Sequence, residues 1–360
     1  FGCKVNGQWQ YNSTRQIIEQ ADQLSCGLLK LGIQPGDKIA IAVYQNRPEW
    51  VVVDLGIQQI GAISVPVYPT ISAREYEYIF NEAEVKLAFV GKGDLFDKVT
   101  QAQTNVPSLQ TVYTFDQIAG RPFWKDIFSS AGMDQVKYLR DGIQSHELVT
   151  IIYTSGTTGN PKGVMLTHDN AMHSVASVMD IAPLSSGDRV LSFLPICHIF
   201  ERAALYFYTK AGLSVSFTGT DNLGGEQGDL QAVKPHFFTT VPRLLEKVYE
   251  RILEKGEALT GAKRKLFFWA LSLTEDFSFD KDFGFFGNLK RRIADKLIFS
   301  KWRAALGGNI KGIVVGAAAC PERILRVFNA AGIPIREGYG LTETSPGLAI
   351  GRFEKGGAML

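Results

Sequence analysis

Cysteine is scarce in this chain, with Cys3, Cys26, Cys197 and Cys320 scattered over 360 residues. No Cys-x-x-Cys pair occurs, which argues against a disulfide framework and a thiolate zinc site and favours reduced thiols in a cytoplasmic enzyme. His146, His168, His173 and His236 suggest no metal cluster, and none of the four is read as catalytic. Charge of one sign is lacking too. Against 38 Lys and Arg stand 36 Asp and Glu, a formal net of +2, and no DNA- or RNA-binding motif is visible. No apolar run reaches the roughly 18 residues of a membrane-spanning helix. The chain opens at Phe1 without a charged-then-apolar leader, so no secretory signal is read. Internal repeats are absent as well.

What is present is the makeup of a globular enzyme, with 45% apolar and 21% charged residues. The length suits two or three compact units. Asn12-Ser13-Thr14 offers an N-cap for a helix whose apolar positions run from Ile17 to Leu31. Strands are predicted at Lys38 to Tyr44, Ile63 to Tyr68, Val85 to Val90 and Leu109 to Phe115. Helices are predicted between them at Pro48 to Gly61, Ala73 to Glu84 and Asp94 to Gln103. Pro66 suggests an edge strand or a break. A second series follows, with strands at Val190 to Leu194, Leu213 to Phe217, Phe237 to Thr240 and Ile310 to Val315. Its helices are Ile199 to Lys210 and Pro321 to Ala330. Such alternation predicts an α/β fold with doubly wound, mainly parallel sheets.

Between the two series, Leu148 to Tyr153 reads as a buried strand that runs into a polar loop. From Thr154 to Gly163 the loop holds four hydroxyls, three glycines and Lys162. Glycine permits tight turns and close backbone approach, hydroxyls donate, and the lysine is a point charge suited to phosphate. Ligands of open α/β sheets bind at the carboxyl ends of strands, where this loop lies. A Walker A loop needs Gly-x4-Gly-Lys-Ser/Thr, but Pro161 stands five positions after Gly156 and Gly163 follows Lys162, so that pattern fails. The loop is read as a polyphosphate cradle.

Four segments, in order, carry a family resemblance: 153–168 around that loop, Leu194-Pro195-Ile196-Cys197-His198-Ile199-Phe200-Glu201-Arg202, Gly316-Ala317-Ala318-Ala319-Cys320-Pro321, and Glu337-Gly338-Tyr339-Gly340-Leu341-Thr342-Glu343-Thr344. They resemble the signatures of the AMP-forming, adenylate-forming enzymes, which include acyl-CoA synthetases, luciferase and peptide-synthetase adenylation domains. The resemblance implies two α/β subdomains, roughly 1–150 and 151–360, with part of a small β-barrel. It also implies ATP, Mg²⁺ and CoA as cofactor and co-substrates.

By the same resemblance, Thr154, Ser155, Gly156, Thr157, Thr158, Gly159 and Lys162 fall to the β- and γ-phosphates. Thr342 falls to the α-phosphate, Glu343 to Mg²⁺, and His198 to the acyl carboxylate. Gly316, Ala317, Ala318, Glu337, Gly338, Tyr339 and Gly340 fall to the nucleotide, with the flat Tyr339 ring suited to stacking on adenine.

Segments 61–70 and 240–249, and a helical insertion from about Val248 to Gly307, resemble the long-chain fatty acyl-CoA synthetase branch. Between Lys263 and Arg303 ten basic residues face five acids, among ten aromatics. Basic amphipathic helices with aromatic faces suit anionic membrane surfaces, which would make the enzyme peripheral there. The spacing of Leu289, Ile293 and Leu297 favours the plainer expectation that they pack on the core while the charges are solvated. The expected activity is formation of acyl-AMP from a long-chain fatty acid, followed by thioester formation with CoA. Two rival readings are a fatty acyl-AMP ligase serving a carrier protein and a non-catalytic lipid- or nucleotide-binding derivative. The resemblance leaves room for a homodimer. The family's Tyr-x-Thr-Gly-Asp element, hinge and C-terminal domain with its lysine have no counterpart in these residues. The chain therefore reads as an AMP-binding N-terminal domain over 1–360, incomplete at both ends.

Overall fold

The computed structural model describes residues 1–155, 159–225, 227–279 and 281–353. They divide into two compact units. The first comprises Phe1–Ser174, Phe193–Ala203 and Phe217–Gly219; the second comprises Val175–Ser192, Ala204–Ser216 and the chain from Thr220 onward.

The first unit opens with a hairpin of β1 (Gly2–Val5) and β2 (Gln8–Tyr11), turned by Asn6 and Gly7 at φ 51° and 80°. Both positions of such a turn need positive φ, which this residue pair tolerates best. Helix α1 (Thr14–Lys30) starts where Ser13 and Gln16 cap each other, and it buries Ile17, Ala21, Leu24 and Leu28. There follow β3 (Lys38–Ala42), α2 (Pro48–Gln58), β4 (Ile63–Pro66), α3 (Ala73–Glu82), β5 (Val85–Val90), α4 (Leu95–Gln103), β6 (Thr111–Thr114) and α5 (Met133–Gly142). Strands β7 (Leu148–Thr154) and β8 (Lys162–Thr167) complete the sheet, and α6 (His168–Met179) leaves it. The strand order is β6-β5-β3-β4-β7-β8. Every described pairing is parallel except β7 with β8.

Pro66 marks neither an edge strand nor an interruption. β4 lies inside the sheet between β3 and β7, and the proline is its last residue. The ladder continues because the next residue, Val67, donates its N–H to Ile41 O at 2.9 Å.

The later elements are β9 (Arg189–Ser192), α7 (Ile199–Lys210), β10 (Ser214–Phe217), α8 (Asp229–Val233), β11 (Phe237–Thr240) and α9 (Pro242–Glu257). Next come α10 (Gly261–Ser272), α11 (Gly284–Ala294), a π-helical turn over Asp295–Phe299, and α12 (Ser300–Ala305). The series closes with β12 (Gly312–Val315), α13 (Glu322–Ala330), β13 (Ile335–Gly340) and β14 (Gly347–Ile350). The second unit's strands run in the order β14-β13-β12-β11-β9-β10. β9, β11, β12 and β13 pair in parallel, and β14 turns back antiparallel on β13. The α/β class expected from the alternation is what the chain adopts, in two sheets.

The insertion is helical, as expected, but its side chains are not placed as expected. Leu289, Ile293 and Leu297 do not pack on the core; they are 45%, 43% and 40% exposed. Helix α11 buries only Ala294, whose small side chain lets the backbone lie close while the larger apolar residues point away. Arg291 is held instead, its guanidinium 4.8 Å from the Phe277 ring and 4.1 Å from the Phe283 ring. Among the described residues no helix is long and apolar enough to cross a membrane.

Candidate active site

In the first unit, β7 runs parallel to β4 and delivers Thr154 to the carboxyl edge of the sheet. The next element is a strand, not a helix: β8 begins at Lys162, directly opposite Thr154. The segment thus joins two paired strands, and no helix N-terminus follows it among the described residues. Ser155, Gly159 and Lys162 are exposed, Thr154 is half-buried, and Gly159 takes φ 102°. Gly156, Thr157 and Thr158 lie outside the described residues. Gly163 serves packing. A Cβ there would meet Ile151 at 2.8 Å and the Tyr153 ring at 3.1 Å across the hairpin stem.

His198 stands just before α7, whose first turn belongs to the same unit. Its neighbour Ile199 packs with Ile152 of β7 and Leu166 of β8, which seats this corner against the hairpin stem. His198 Nδ1 accepts the Phe200 N–H at 3.1 Å, so the neutral ring carries its proton on Nε2. Burial lowers its pKa below the ordinary 6.5. Burial pushes the adjacent Cys197 thiol up to about 12, which removes it as a nucleophile.

Two further side chains fix this segment. Asn46 donates to Leu194 O at 2.7 Å and accepts from the Ile196 N–H at 3.3 Å. Arg202, one turn into α7 and fully buried, donates to Asp54 at 2.6 Å, Ser64 at 2.6 Å and Thr150 at 2.5 Å, with Trp50 beneath it. Neither was assigned a role by the sequence reading. Arg202 follows His198 by one helical turn, a spacing that places both on one side of α7. Asn46 carries no such signal, because a loop asparagine 150 positions away names no partner.

In the second unit, β11 and β12 end opposite each other at the carboxyl edge, and β13 runs three residues further to Gly340. Gly316 donates its N–H to Thr240 O at 3.1 Å, and Ala317 sits at φ 66°, a left-handed conformation that costs a non-glycine residue energy. Ala317 and Ala318 are exposed. Glu337 accepts the Cys320 N–H at 3.0 Å, so its carboxylate ties the turn after β12 to β13. The Tyr339 ring is 53% exposed, leaving one face open for stacking. Gly338 lies over Val314, and a Cβ at Gly340 would fall 1.6 Å from Pro346 O, so only glycine lets β14 fold back there. Thr342 and Glu343 begin the short 3-10 turn between these strands. Thr342 is half-buried and Glu343 is exposed, and among the described residues the Glu343 carboxylate pairs with no cation. No group of three or more metal-ligating side chains occurs among the described residues. The Thr240 hydroxyl, buried at the same edge, has no described partner, and the sequence reading gave it no polar role.

Within each unit, therefore, the described residues singled out from sequence lie near one edge of one sheet. The family profile described as AMP-binding enzyme matches residues 3–358. Among curated proteins, the chain is 33% identical over 359 residues to the long-chain-fatty-acid–CoA ligase FadD15 of Mycobacterium bovis, covering 97% of this chain and 58% of that protein. It is 31% identical to long-chain-fatty-acid–CoA ligase 5 of Rattus norvegicus, covering 96% and 52%. The chain thus spans little more than half the length of these relatives. Among solved structures, it matches a putative long-chain-fatty-acid CoA ligase from Rhodopseudomonas palustris with TM-score 0.70 at 18% identity, covering 98% of this chain and 74% of that one. It matches the anthranilate CoA ligase AuaEII in complex with anthranoyl-AMP with TM-score 0.69, also at 18% identity, covering 97% and 57%. Those two likenesses speak to the fold. With the profile spanning nearly all of its sequence, this chain belongs to the AMP-binding enzyme family.

Proposed function

We propose that this chain is the nucleotide-binding part of an ATP-dependent, AMP-forming long-chain fatty acid–CoA ligase. The observation that supports the reading is that Lys162 stands opposite Thr154 at the end of β7, while Tyr339 lies near the end of β13 and Thr342 and Glu343 follow it. The similarity to curated long-chain ligases supports the choice of substrate class.

Adenylation joins a fatty carboxylate oxygen to the α-phosphorus of ATP and expels pyrophosphate. Both reactants are anionic, so the chain's task is charge neutralisation and alignment. Thr154, Ser155, Gly156, Thr157, Thr158, Gly159 and Lys162 hold the β- and γ-phosphates. Thr342 donates to the α-phosphate. Gly316, Ala317, Ala318 and Gly338 give room for a flat base, Tyr339 stacks on it, and Glu337 keeps the Gly316–Cys320 turn in place. Neutral His198 presents its Nε2–H toward the acyl carboxylate.

The residues fit a Mg²⁺ that arrives with the nucleotide. Such an ion uses one or two carboxylates beside substrate phosphates and retains waters, and Glu343 supplies one exposed carboxylate with no described cation partner. The ion would add charge neutralisation at the phosphates. In the second half-reaction the thiolate of CoA attacks the acyl carbon and AMP leaves. We further propose that the enzyme works in the cytoplasm and meets its lipid substrate at a membrane surface.

An acid panel from acetate to long-chain fatty acids, scored by AMP release from the full-length protein, tests the reading. Turnover that rises with chain length and yields acyl-CoA is expected. Accumulated acyl-AMP without thioester would instead identify an adenylate-delivering ligase, and no acid-dependent AMP release would leave only a binding module.

A further inference from the structure

Helix α11 is anomalous as a surface helix. Of its eleven residues only Ala294 is buried, and Gly284 and Gly287 weaken it further. Isolated helices of this length are marginal in water, and most helical stability comes from burying an apolar face. Yet its apolar residues face outward: Phe285 and Phe286 are 78% and 77% exposed, with Leu289 and Ile293 beyond them. At 3.6 residues per turn these four side chains share a sector about 100° wide, with Arg292 bounding one side and Lys290 the other. Lys296 and the exposed Leu297 extend the same mixture one turn further. Among the described residues, Lys290, Arg292 and Lys296 pair with no carboxylate, whereas Arg303 is engaged by Asp295. Arg291, on the inward side, is clamped between Phe277 and Phe283 and donates to Leu273 O at 3.0 Å, which fixes the roll of the helix.

We propose that α11 is an interfacial helix that lays Phe285, Phe286, Leu289 and Ile293 into the headgroup region of an anionic bilayer, with Lys290, Arg292 and Lys296 on the lipid phosphates. Charge decides the occupant. The apolar sector is bordered on both sides by uncompensated cations, and a second copy of the same face would bring like charges together. A bilayer offers apolar depth and negative charge together, and amphipathic helices of this pattern lie in that plane. The proposal names the place of the membrane contact offered above. It rests on the fatty-acid reading only for its purpose, which is collection of a lipid substrate.

The test is sedimentation of the full-length protein with vesicles of phosphatidylcholine containing about 30% phosphatidylglycerol, against pure phosphatidylcholine, at about 0.1 M salt. Wild type is expected to bind the anionic vesicles preferentially. The Phe285→Ser/Phe286→Ser and Lys290→Gln/Arg292→Gln/Lys296→Gln variants should each bind at least about tenfold more weakly, and the latter should lose the salt dependence. Thermal unfolding and light scattering of the same samples report folding and oligomeric state. Equal binding by wild type and both variants overturns the proposal, as does wild type that ignores the vesicles. A wild-type dimer that the double Phe variant splits, without vesicle binding, assigns the face to a second copy and overturns it too. Turnover of albumin-delivered fatty acid should be the same in all three proteins. Vesicle binding without acid-dependent AMP release would sink the ligase reading while leaving this one standing.

Discussion

Two helices of nearly equal length, α7 and α11, are held in opposite ways. α7 enters beside His198 with its first turn locked: Arg202 is fully buried on Asp54, Ser64 and Thr150, and Asn46 grips the segment just before it. α11 buries one alanine and leaves two phenylalanines in the open. A buried ion pair is a poor source of stability, because desolvation offsets most of the attraction. Its use is positional, since the guanidinium fits one geometry and tolerates few others. The chain thus places a buried charge beside His198, and it holds the outward-facing helix only by Ala294 and the Arg291 clamp.

The largest expected break in that contrast is Arg202→Met. It removes the Arg202 cation from the buried Asp54 carboxylate and should destabilise the first unit by about 3–5 kcal/mol, read by denaturant unfolding. Asn46→Ala should cost about 1–3 kcal/mol, because a buried carbonyl and N–H both lose their partner. Both should slow turnover beyond what instability explains, since His198 rides on the same segment.

Acid separates the helices in another way. Burial lowers the folded-state pKa of His198 below 6.5, so between the two values the unfolded chain binds more protons. Stability is therefore lost as pH falls below about 6.5, and His168 and His236, also lowered by burial, add to the loss. Hydrogen-exchange protection factors in α7, taken relative to the intrinsic rate at each pH, should fall on acidification, while those of α11, which contains no histidine, should stay low throughout. The smallest effect is expected from Phe285→Ser/Phe286→Ser, which should change stability in solution by no more than about 0.5 kcal/mol per site. A large loss there would show that the phenylalanines pack inward after all.

The sequence made some of this legible. β5, α7 and β11 have the ends that the sequence pattern predicts. The β1–β2 hairpin escaped periodicity, although Asn6-Gly7 is a strong hairpin signal in its own right. β8 was concealed because Lys162 and Gly163 belong at once to the phosphate loop and to the strand opposite β7. Leu289, Ile293 and Leu297 show a deeper limit. Spacing reveals an apolar stripe, but the same stripe suits a protein core or a lipid surface, and only the burial of Ala294 in place of its larger neighbours distinguishes them. Of the site, residue types and order were readable from sequence. The supports, Asn46, the Arg202 network and the Glu337 tie to Cys320, depend on contacts between residues distant in sequence.

The most direct test of the adenylating role is ATP–pyrophosphate exchange driven by a long-chain fatty acid, measured on full-length protein with Lys162→Ala and Glu343→Gln beside wild type. Loss of one phosphate-neutralising group should lower exchange by about 10²- to 10³-fold in each variant, with the fold intact by circular dichroism. Exchange at the wild-type rate in both variants would contradict the account.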